Sequence, residues 1–351
     1  MSMHALKITI KVALYLVIVA AIYILILRYI DPGARWLFNN YITKNLVVDG
    51  SKAIDPERKL SLGIYRPELP YHYDTVVAVE DSLDTKLKVI SYYQAWGDGD
   101  EHQFNLDVVR NIAKGDYIPM ITWEPWVVAF EKYKNNMADS SLALIAAGEF
   151  DDYIHSWARQ IVQYGKPMFL RLGHEMSNPW YSWSSHYGNT PEMYIAMWRH
   201  VYEIFQTEGA KNTLFVWSPY TAADSTFYPG NDYVDWIGFD IFNYGALSED
   251  GSWFDFSILT SSMYNNYKKY DKPMMIAEVG CSEFGGNKNN WYRDMFHLLT
   301  TDVFPQIKLV VIFDNPIGKT ATGLDVDWSM TAADAVYGAI KSQVSMDQLN
   351  R

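Results

Sequence analysis

Hydrophobic positions divide the chain into two kinds of segment. Near the N-terminus, Val12 to Leu27 is one unbroken run of sixteen residues, all apolar or Tyr. Counted from Ile8, with Lys11 reaching toward the interface, the run is about twenty residues, the length a helix needs to cross ~30 Å of hydrocarbon. From residue 60 onward the pattern changes to short apolar runs separated by longer amphipathic stretches. Eight such runs occur: Leu62–Tyr65, Lys88–Tyr93, Tyr117–Trp123, Pro167–Leu172, Thr213–Trp217, Val234–Asp240, Pro273–Glu278 and Lys308–Phe313. Val, Ile, Phe, Leu and Trp dominate them, and several are nearly continuous, as parallel strands buried on both faces should be. Between them, Leu142–Tyr164 carries Leu144, Ile145, Ile154, Trp157, Ile161 and Val162 at helical spacing. Pro191–Thr207 carries Met193, Met197, Val201 and Ile204 behind Thr190, a candidate N-cap.

Strand–helix alternation repeated eight times over about 285 residues predicts an α/β fold, a closed (β/α)8 TIM barrel. The rival is an open doubly wound sheet. It usually has fewer strands and a glycine-rich phosphate turn, and no G-x-G-x-x-G or P-loop follows the first run. The expected organisation is a transmembrane helix in a membrane anchor over 1–30, a stalk over 31–59, the barrel over 60–345 and a tail over 346–351. The stalk contains the turn signals Asp31-Pro32-Gly33 and Asp55-Pro56. A cleaved signal peptide is the alternative for the first segment. No small-x-small site closes the run, which continues Leu25-Ile26-Leu27-Arg28. His4, Lys7 and Lys11 precede the span and Arg28 and Arg35 follow it, so charge hardly orients it. The short N-terminal tail makes a single-pass cell-membrane protein, held by residues 8–27 with its barrel outside, the simpler topology.

Composition changes this picture at two points. Thirteen Trp, 26 Tyr and 16 Phe are a high aromatic content; composition alone favours the core as their place, and the surplus also suits a groove that stacks on sugar rings. A net charge of −12 repels phosphate backbones and argues against nucleic acid as a partner. The single cysteine, Cys281, excludes an internal disulfide and a cysteine-based metal site.

In a barrel of this kind the chemistry lies at the C-terminal ends of the strands. After the fourth run stands Arg171-Leu172-Gly173-His174-Glu175-Met176-Ser177-Asn178-Pro179-Trp180-Tyr181-Ser182-Trp183, and the seventh ends in Ala277-Glu278-Val279-Gly280. Two carboxylates at the mouths of strands four and seven face each other across the barrel axis. Glycosidic hydrolysis needs such a pair: one acid protonates the leaving oxygen, and the other attacks the anomeric carbon or activates water. A glutamate at a strand end, taken alone, is more often a solvated or salt-bridged residue. His174 and the Trp/Tyr cluster beside Glu175 tip the balance toward chemistry. Aromatic residues recur after the strands: Tyr93 and Trp96, Trp123 and Trp126, Trp180 and Trp183, Trp217 and Tyr220, Phe242 and Tyr244. Of these, Trp123 and Trp217 lie inside their runs and favour the core, whereas Trp180 and Trp183 lie on a loop. Glu124, between two Trp, is read as a structural ion pair with Arg66 or Arg171 rather than as a third reacting carboxylate.

These residues resemble glycoside hydrolase family 26, a retaining family of (β/α)8 hydrolases, over roughly residues 60–345. The strand-four motif just quoted resembles the family's His-Glu motif with its following Trp and Tyr. Ile121-Thr122-Trp123-Glu124-Pro125-Trp126, Asp232-Tyr233-Val234-Asp235-Trp236-Ile237-Gly238, and Ala277-Glu278 followed by Gly285-Gly286-Asn287-Lys288 and Trp291 resemble its strand-three, strand-six and nucleophile regions. The resemblance implies Glu175 as general acid/base and Glu278 as nucleophile. It implies that His174 and Trp180 line the sugar site; with the strand-end aromatics Trp183, Trp96, Trp123, Trp126, Tyr181 and Tyr244 they are the candidate sugar-binding residues. The implied substrate is a β-1,4-containing polysaccharide, either mixed-linkage β-1,3-1,4-glucan or β-mannan, cut without metal or organic cofactor. Three positions depart from the family pattern. Phe242 stands where many members place a Tyr that hydrogen-bonds the nucleophile, so either Tyr244 substitutes or that partner is missing. Ile312 precedes Phe313 where a Trp is frequent. Ser177 replaces the usual Asn.

Two readings follow. In one, an anchored endo-acting hydrolase trims a polysaccharide exported by the same cell, as accessory to a polysaccharide synthase. In the other, the barrel binds glycan without cleaving it, a reading that Phe242 makes credible.

Overall fold

The computed structural model describes residues 60–330, apart from 84, 135–140, 302, 321 and 322. The expected anchor over 1–30, stalk over 31–59 and tail over 346–351 lie outside the described residues. Among the described residues, no helix is long and apolar enough to cross a membrane.

Eight parallel strands close into a barrel: β1 Ser61–Tyr65, β2 Val89–Ala95, β3 Ile118–Glu124, β4 Met168–Leu172, β5 Thr213–Trp217, β6 Trp236–Asn243, β7 Met274–Cys281 and β8 Ile307–Phe313. β8 pairs back onto β1, from Ser61 opposite Leu309 to Tyr65 opposite Phe313, so no edge is left open. Helices cover the outside: α1 Asp74–Leu83, α2 Leu106–Lys114, α3 Ser141–Ala146, α4 Asp151–Tyr164, α5 Pro191–Glu208, α6 Phe256–Tyr267 and α7 Lys288–Thr300.

The local chemistry explains the boundaries. Thr190 caps α5 by accepting from the Met193 N–H, Pro191 occupies its first turn, and Gly209 ends it at φ 86°. The continuous helix expected over 142–164 is instead two helices. Gly148, at φ 89°, turns the chain between α3 and α4, and only glycine takes that conformation without cost. The expected strand–helix alternation also fails once. Between β5 and β6 the crossover carries only the short 3-10 turns Asp224–Phe227 and Asn231–Tyr233, in a stretch with Pro219, Pro229 and Gly230 but no helical apolar stripe.

Two packed layers result. Outward-facing strand residues pack on the helices, with Trp123 at the centre of an aromatic stack: its ring centroid lies 4.5 Å from Trp96 and 4.6 Å from Trp157. Among the described residues seven Trp side chains are less than 2% exposed, so these rings belong to the core. Inward-facing residues fill the barrel itself: Val89, Ile118, Met120, Phe169, Leu214, Val216, Trp236, Met275, Ala277, Leu309 and Val311. Beyond β8 the chain folds back over the barrel mouth. Buried Asp314 accepts from Arg66 and from the Met330 N–H, and buried Lys288 donates to the Ser329 carbonyl at 2.7 Å.

Gly63 on β1 marks the tightest point of this interior, because a Cβ there would lie 2.8 Å from Val89 Cβ and 3.2 Å from Val311 Cγ2. Gly63→Val therefore overpacks a closed ring of strands. It should lower unfolding stability by about 1–3 kcal/mol, read from urea denaturation midpoints at unchanged m-value. An unchanged midpoint would mean that the strands move apart freely.

Candidate active site

Side chains alternate along a strand, so the inward positions continue upward from the apolar filling. Their chemistry changes at the C-terminal ends. Above Val89 comes Tyr93, above Phe169 comes Arg171, above Val216 comes Ser218, and above Trp236 and Gly238 comes Asp240. β7 reaches the same layer by a different route. Its register with β6 slips by one residue, Phe239 opposing Ile276 and Asp240 opposing Glu278. Ala277 is the extra residue of a β-bulge, so Ala277 and Glu278 both face the interior.

Arg171 is the hub of this layer and has no exposed surface. Its Nε donates to Ser218 Oγ at 3.0 Å. One terminal nitrogen donates to Glu278 Oε1 and the other to Asp240 Oδ2. Burial alone would lower its pKa, but the Asp240 and Glu278 charges outweigh that and hold the guanidinium firmly protonated. Tyr93 Oη donates to the same Glu278 Oε1 at 2.5 Å. Burial and then the Glu278 charge push the Tyr93 phenol well above its ordinary range, so it keeps the proton it donates.

Glu175 sits on the loop after β4 at φ 50°, a left-handed conformation that a residue with a Cβ rarely takes. Three contacts hold it there. Its N–H donates to the Ser218 carbonyl at 2.7 Å, its carbonyl accepts from the Asn178 N–H at 2.8 Å, and its Oε2 accepts from Asn178 Nδ2 at 2.7 Å. Burial, then the charge of Glu278, raises the Glu175 carboxyl above the ordinary range. Among the described residues no N–H or O–H donor reaches the buried Asp240 Oδ1, and the Asp240 and Glu175 carboxyl groups lie within hydrogen-bond reach of each other. Burial, partly offset by Arg171, also raises Asp240 well above its usual range.

His174 is buried, and burial followed by the Arg171 charge lowers its pKa, so the ring is neutral. Its Nε2 meets Tyr181 Oη at 3.1 Å, and its Nδ1 has no hydrogen-bond partner among the described residues. Tyr181 is partly exposed and stacks on Trp183 with centroids 4.4 Å apart. Trp126 packs edge-on against Trp183 at 4.9 Å, and its Nε1 donates to Glu124 Oε2 at 3.1 Å. Tyr244 is partly exposed against Trp328, and Trp180 is 51% exposed.

Several expectations change. Trp96 and Trp123 are fully buried among other rings and offer no face to a sugar. Trp183, expected on an open loop, is also fully buried; its Nε1 donates to the His174 carbonyl at 2.7 Å, which makes it a support for the wall. Glu124 is held by the Trp126 indole, whereas Arg66 pairs with Glu68 and Asp314, and Arg171 with Asp240 and Glu278. The hydroxyl that Phe242 cannot supply to Glu278 comes from neither Tyr244 nor nowhere, but from Tyr93 on β2. Ile312 points into the outer core, and Phe313 stacks on Tyr65 with centroids 4.7 Å apart. Asp240 and Ser218 were not singled out in the sequence. Their signal was parity: each continues an inward row of apolar residues.

Known proteins resemble this chain over most of the barrel. The sequence profile of glycosyl hydrolase family 26 matches residues 64–298. Endoglucanase H of Acetivibrio thermocellus is 31% identical over 243 residues, 66% of this chain and 25% of that protein. A mannan endo-1,4-beta-mannosidase of Bacillus subtilis is 23% identical over 219 residues, 60% of this chain and 55% of that protein. The chain thus spans a quarter to about half the length of these relatives. Among solved structures, a modular endo-beta-1,4-mannanase from Cellulomonas fimi superposes with a TM-score of 0.62 at 14% identity, covering 84% of this chain and 74% of that one. That likeness is one of fold.

Burial pushes the Glu124 carboxyl up from 4.5 to about 7. A carboxyl whose folded pKa exceeds its unfolded one favours the neutral form in the fold. It therefore costs stability progressively as pH rises from 4.5 to about 7, with no further change above. Glu124→Gln keeps an acceptor for Trp126 and removes the titration. Urea unfolding across this range should show the variant gaining on the parent chain as pH rises, then a constant gap. A gap independent of pH would place Glu124 in solvent.

Proposed function

The chain belongs to glycosyl hydrolase family 26 and is a glycoside hydrolase, and we propose that it cuts a β-1,4-containing glucan internally, by double displacement, with Glu175 as acid/base and Glu278 as nucleophile. The observation that carries this assignment is the contrast between the two carboxyls. Glu278 is gripped at one oxygen by Arg171 and Tyr93, which orient an ionised carboxylate for attack. Glu175 is raised by burial and by the Glu278 charge, which favours the proton an acid must deliver near neutral pH. Attack by Glu278 on the anomeric carbon, with proton transfer from Glu175 to the leaving oxygen, gives a glycosyl ester. Water deprotonated by Glu175 then releases the sugar with its configuration retained.

The wall around the pair suits a neutral sugar chain. Trp180 and Tyr220, 51% and 43% exposed, and the partly exposed Trp126, Tyr181 and Tyr244 present aromatic faces for C–H stacking. His174, neutral and buried, holds Tyr181 in that wall through its Nε2. A β-glucan, mixed-linkage β-1,3-1,4-glucan among its forms, is favoured over β-mannan because the endoglucanase match is closer and longer than the mannosidase match. The non-cleaving alternative drew its support from Phe242, and Tyr93 supplies the hydroxyl that Phe242 lacks. The run over residues 8–27 supports an anchor that holds the barrel at the outer face of the cell membrane, where it would act on glycan emerging from a synthase.

The full-length chain should release reducing ends from barley mixed-linkage glucan faster than from glucomannan, galactomannan or β-1,3-xylan. Glu175→Ala should lower kcat by about 10²–10⁴-fold, the span of a lost acid/base, and Glu278→Ala should abolish turnover while glucan binding persists. Turnover surviving in Glu278→Ala would remove the nucleophile assignment, and faster release from galactomannan would reverse the substrate choice. For the anchor, the chain should stay with membranes through high-salt and alkaline washes and leave them only in detergent. Release by the washes alone would refute it.

A further inference from the structure

Glu175 and Asp240 form a carboxyl–carboxyl contact with no cation between them. Asp240 Oδ2 is taken by Arg171, its buried Oδ1 has no N–H or O–H donor among the described residues, and its carboxyl lies within hydrogen-bond reach of Glu175. Glu175 Oε2 is taken by Asn178 Nδ2. Two ionised carboxylates in contact repel strongly where water is scarce, so in the resting site the pair favours holding one proton. Arg171 cannot neutralise the cluster by itself, because it already serves Glu278 and Asp240.

We propose that Asp240 is the proton partner of Glu175, a positioning residue that shares the one proton the acid/base delivers and takes back in each catalytic cycle. This rests on the reading of Glu175 as the acid/base. Before reaction the cluster holds one guanidinium, ionised Glu278, and the Glu175–Asp240 pair with a single proton, a net charge of about −1 on formal counting. In the first step Glu278 bonds to the anomeric carbon, the bond from that carbon to the leaving oxygen breaks, and Glu175 gives its proton to that oxygen. Glu278 is then a neutral ester, Glu175 and Asp240 are both ionised, and the net charge is unchanged. Repulsion from Asp240 now makes Glu175 the stronger base. It takes a proton from water as the water oxygen bonds to the anomeric carbon and the ester bond breaks, which restores the shared proton and ionised Glu278.

Other charged and titratable groups face this pair from the surrounding strands and loops. Arg171 from β4 and Glu278 from β7 act on both carboxyls, and Glu124 from β3 acts on Glu175. Tyr93 on β2 and Tyr181, Tyr220 and Tyr244 on the loops have their phenols raised, first by burial, and remain neutral. His174 stays neutral too. None of them supplies the missing donor to Asp240 Oδ1.

Asp240→Asn keeps the shape and an acceptor for Arg171 but removes the second carboxyl. Its amide can donate to ionised Glu175, so Glu175 should lose its proton at lower pH. On mixed-linkage glucan, the alkaline limb of kcat/KM should move down by about one pH unit, a tenfold loss of proton affinity, with thermal unfolding still cooperative. A residue that merely braced Arg171 would lower kcat at every pH and leave the limb in place, and that result would overturn the proposal. A second measurement does not depend on turnover. Infrared difference titration of the full-length parent chain should show a protonated carboxyl band that persists above neutral pH and is lost or displaced in Glu175→Gln. Absence of the band would overturn the shared proton even if Asp240→Asn does not fold. Full hydrolysis by Glu175→Ala would instead remove the acid/base reading while leaving the infrared result to stand alone.

Discussion

Arg171 cannot be buried alone. A guanidinium carries five N–H donors in a fixed planar fork and one charge that stays on at any ordinary pH. With no exposed surface, it needs acceptors on every side and negative charge within reach. Ser218, just past the end of β5, Asp240 on β6 and Glu278 on β7 meet that need. One side chain on β4 thus fixes the spacing of the ends of the next three strands. The remaining imbalance, one cation against three carboxyl groups, gives the cluster its proton. Protonation state at the barrel mouth is in this sense a consequence of packing.

The loop after β4 adds a second constraint. Glu175 occupies a conformation that costs a residue with a side chain of the order of 1 kcal/mol or more. It persists because Ser218 and Asn178 together specify its backbone and carboxyl. Ser218 therefore joins the two halves of the arrangement: its hydroxyl accepts from Arg171 and its carbonyl from the Glu175 N–H. The strand that carries the hub and the loop that carries Glu175 are tied through one serine just past the end of β5.

Much of the barrel was legible because strands buried on both faces read as unbroken apolar runs. Their C-terminal limits were read short at Tyr93, Trp123, Asp240 and Glu278, since Gln94, Glu124, Asn243 and Gly280 lie in the strands yet look like loop residues. The β5–β6 crossover was misjudged because alternation was extrapolated across a stretch with prolines and no apolar stripe. Glu175 and Glu278 stood out through their neighbours in motifs. Asp240 did not, because a single acid in an apolar run carries no local pattern. Tyr93 was visible only as an aromatic ring, while its hydroxyl is the part that reaches Glu278. Individual strand-end rings misled in the other direction. Trp96, Trp123 and Trp183 build the ring-on-ring layer behind the wall, and sequence spacing alone does not separate a supporting ring from an exposed one.

Ala277 occupies the bulge of β7 and has no obvious task beyond filling space. The bulge, not the residue count, sets the phase of the strand. Were it straightened with Ala277 kept, the two-residue rhythm begun at Met275 would turn Glu278 toward the helices, where Val279 and Ile276 now pack. Glu278 would keep its place in the chain and leave the barrel mouth. The skipped beat in the hydrogen-bond ladder thus lets β7 carry one residue more than its neighbour without turning the carboxylate away, so an added residue is absorbed as a local kink and not as a rotation.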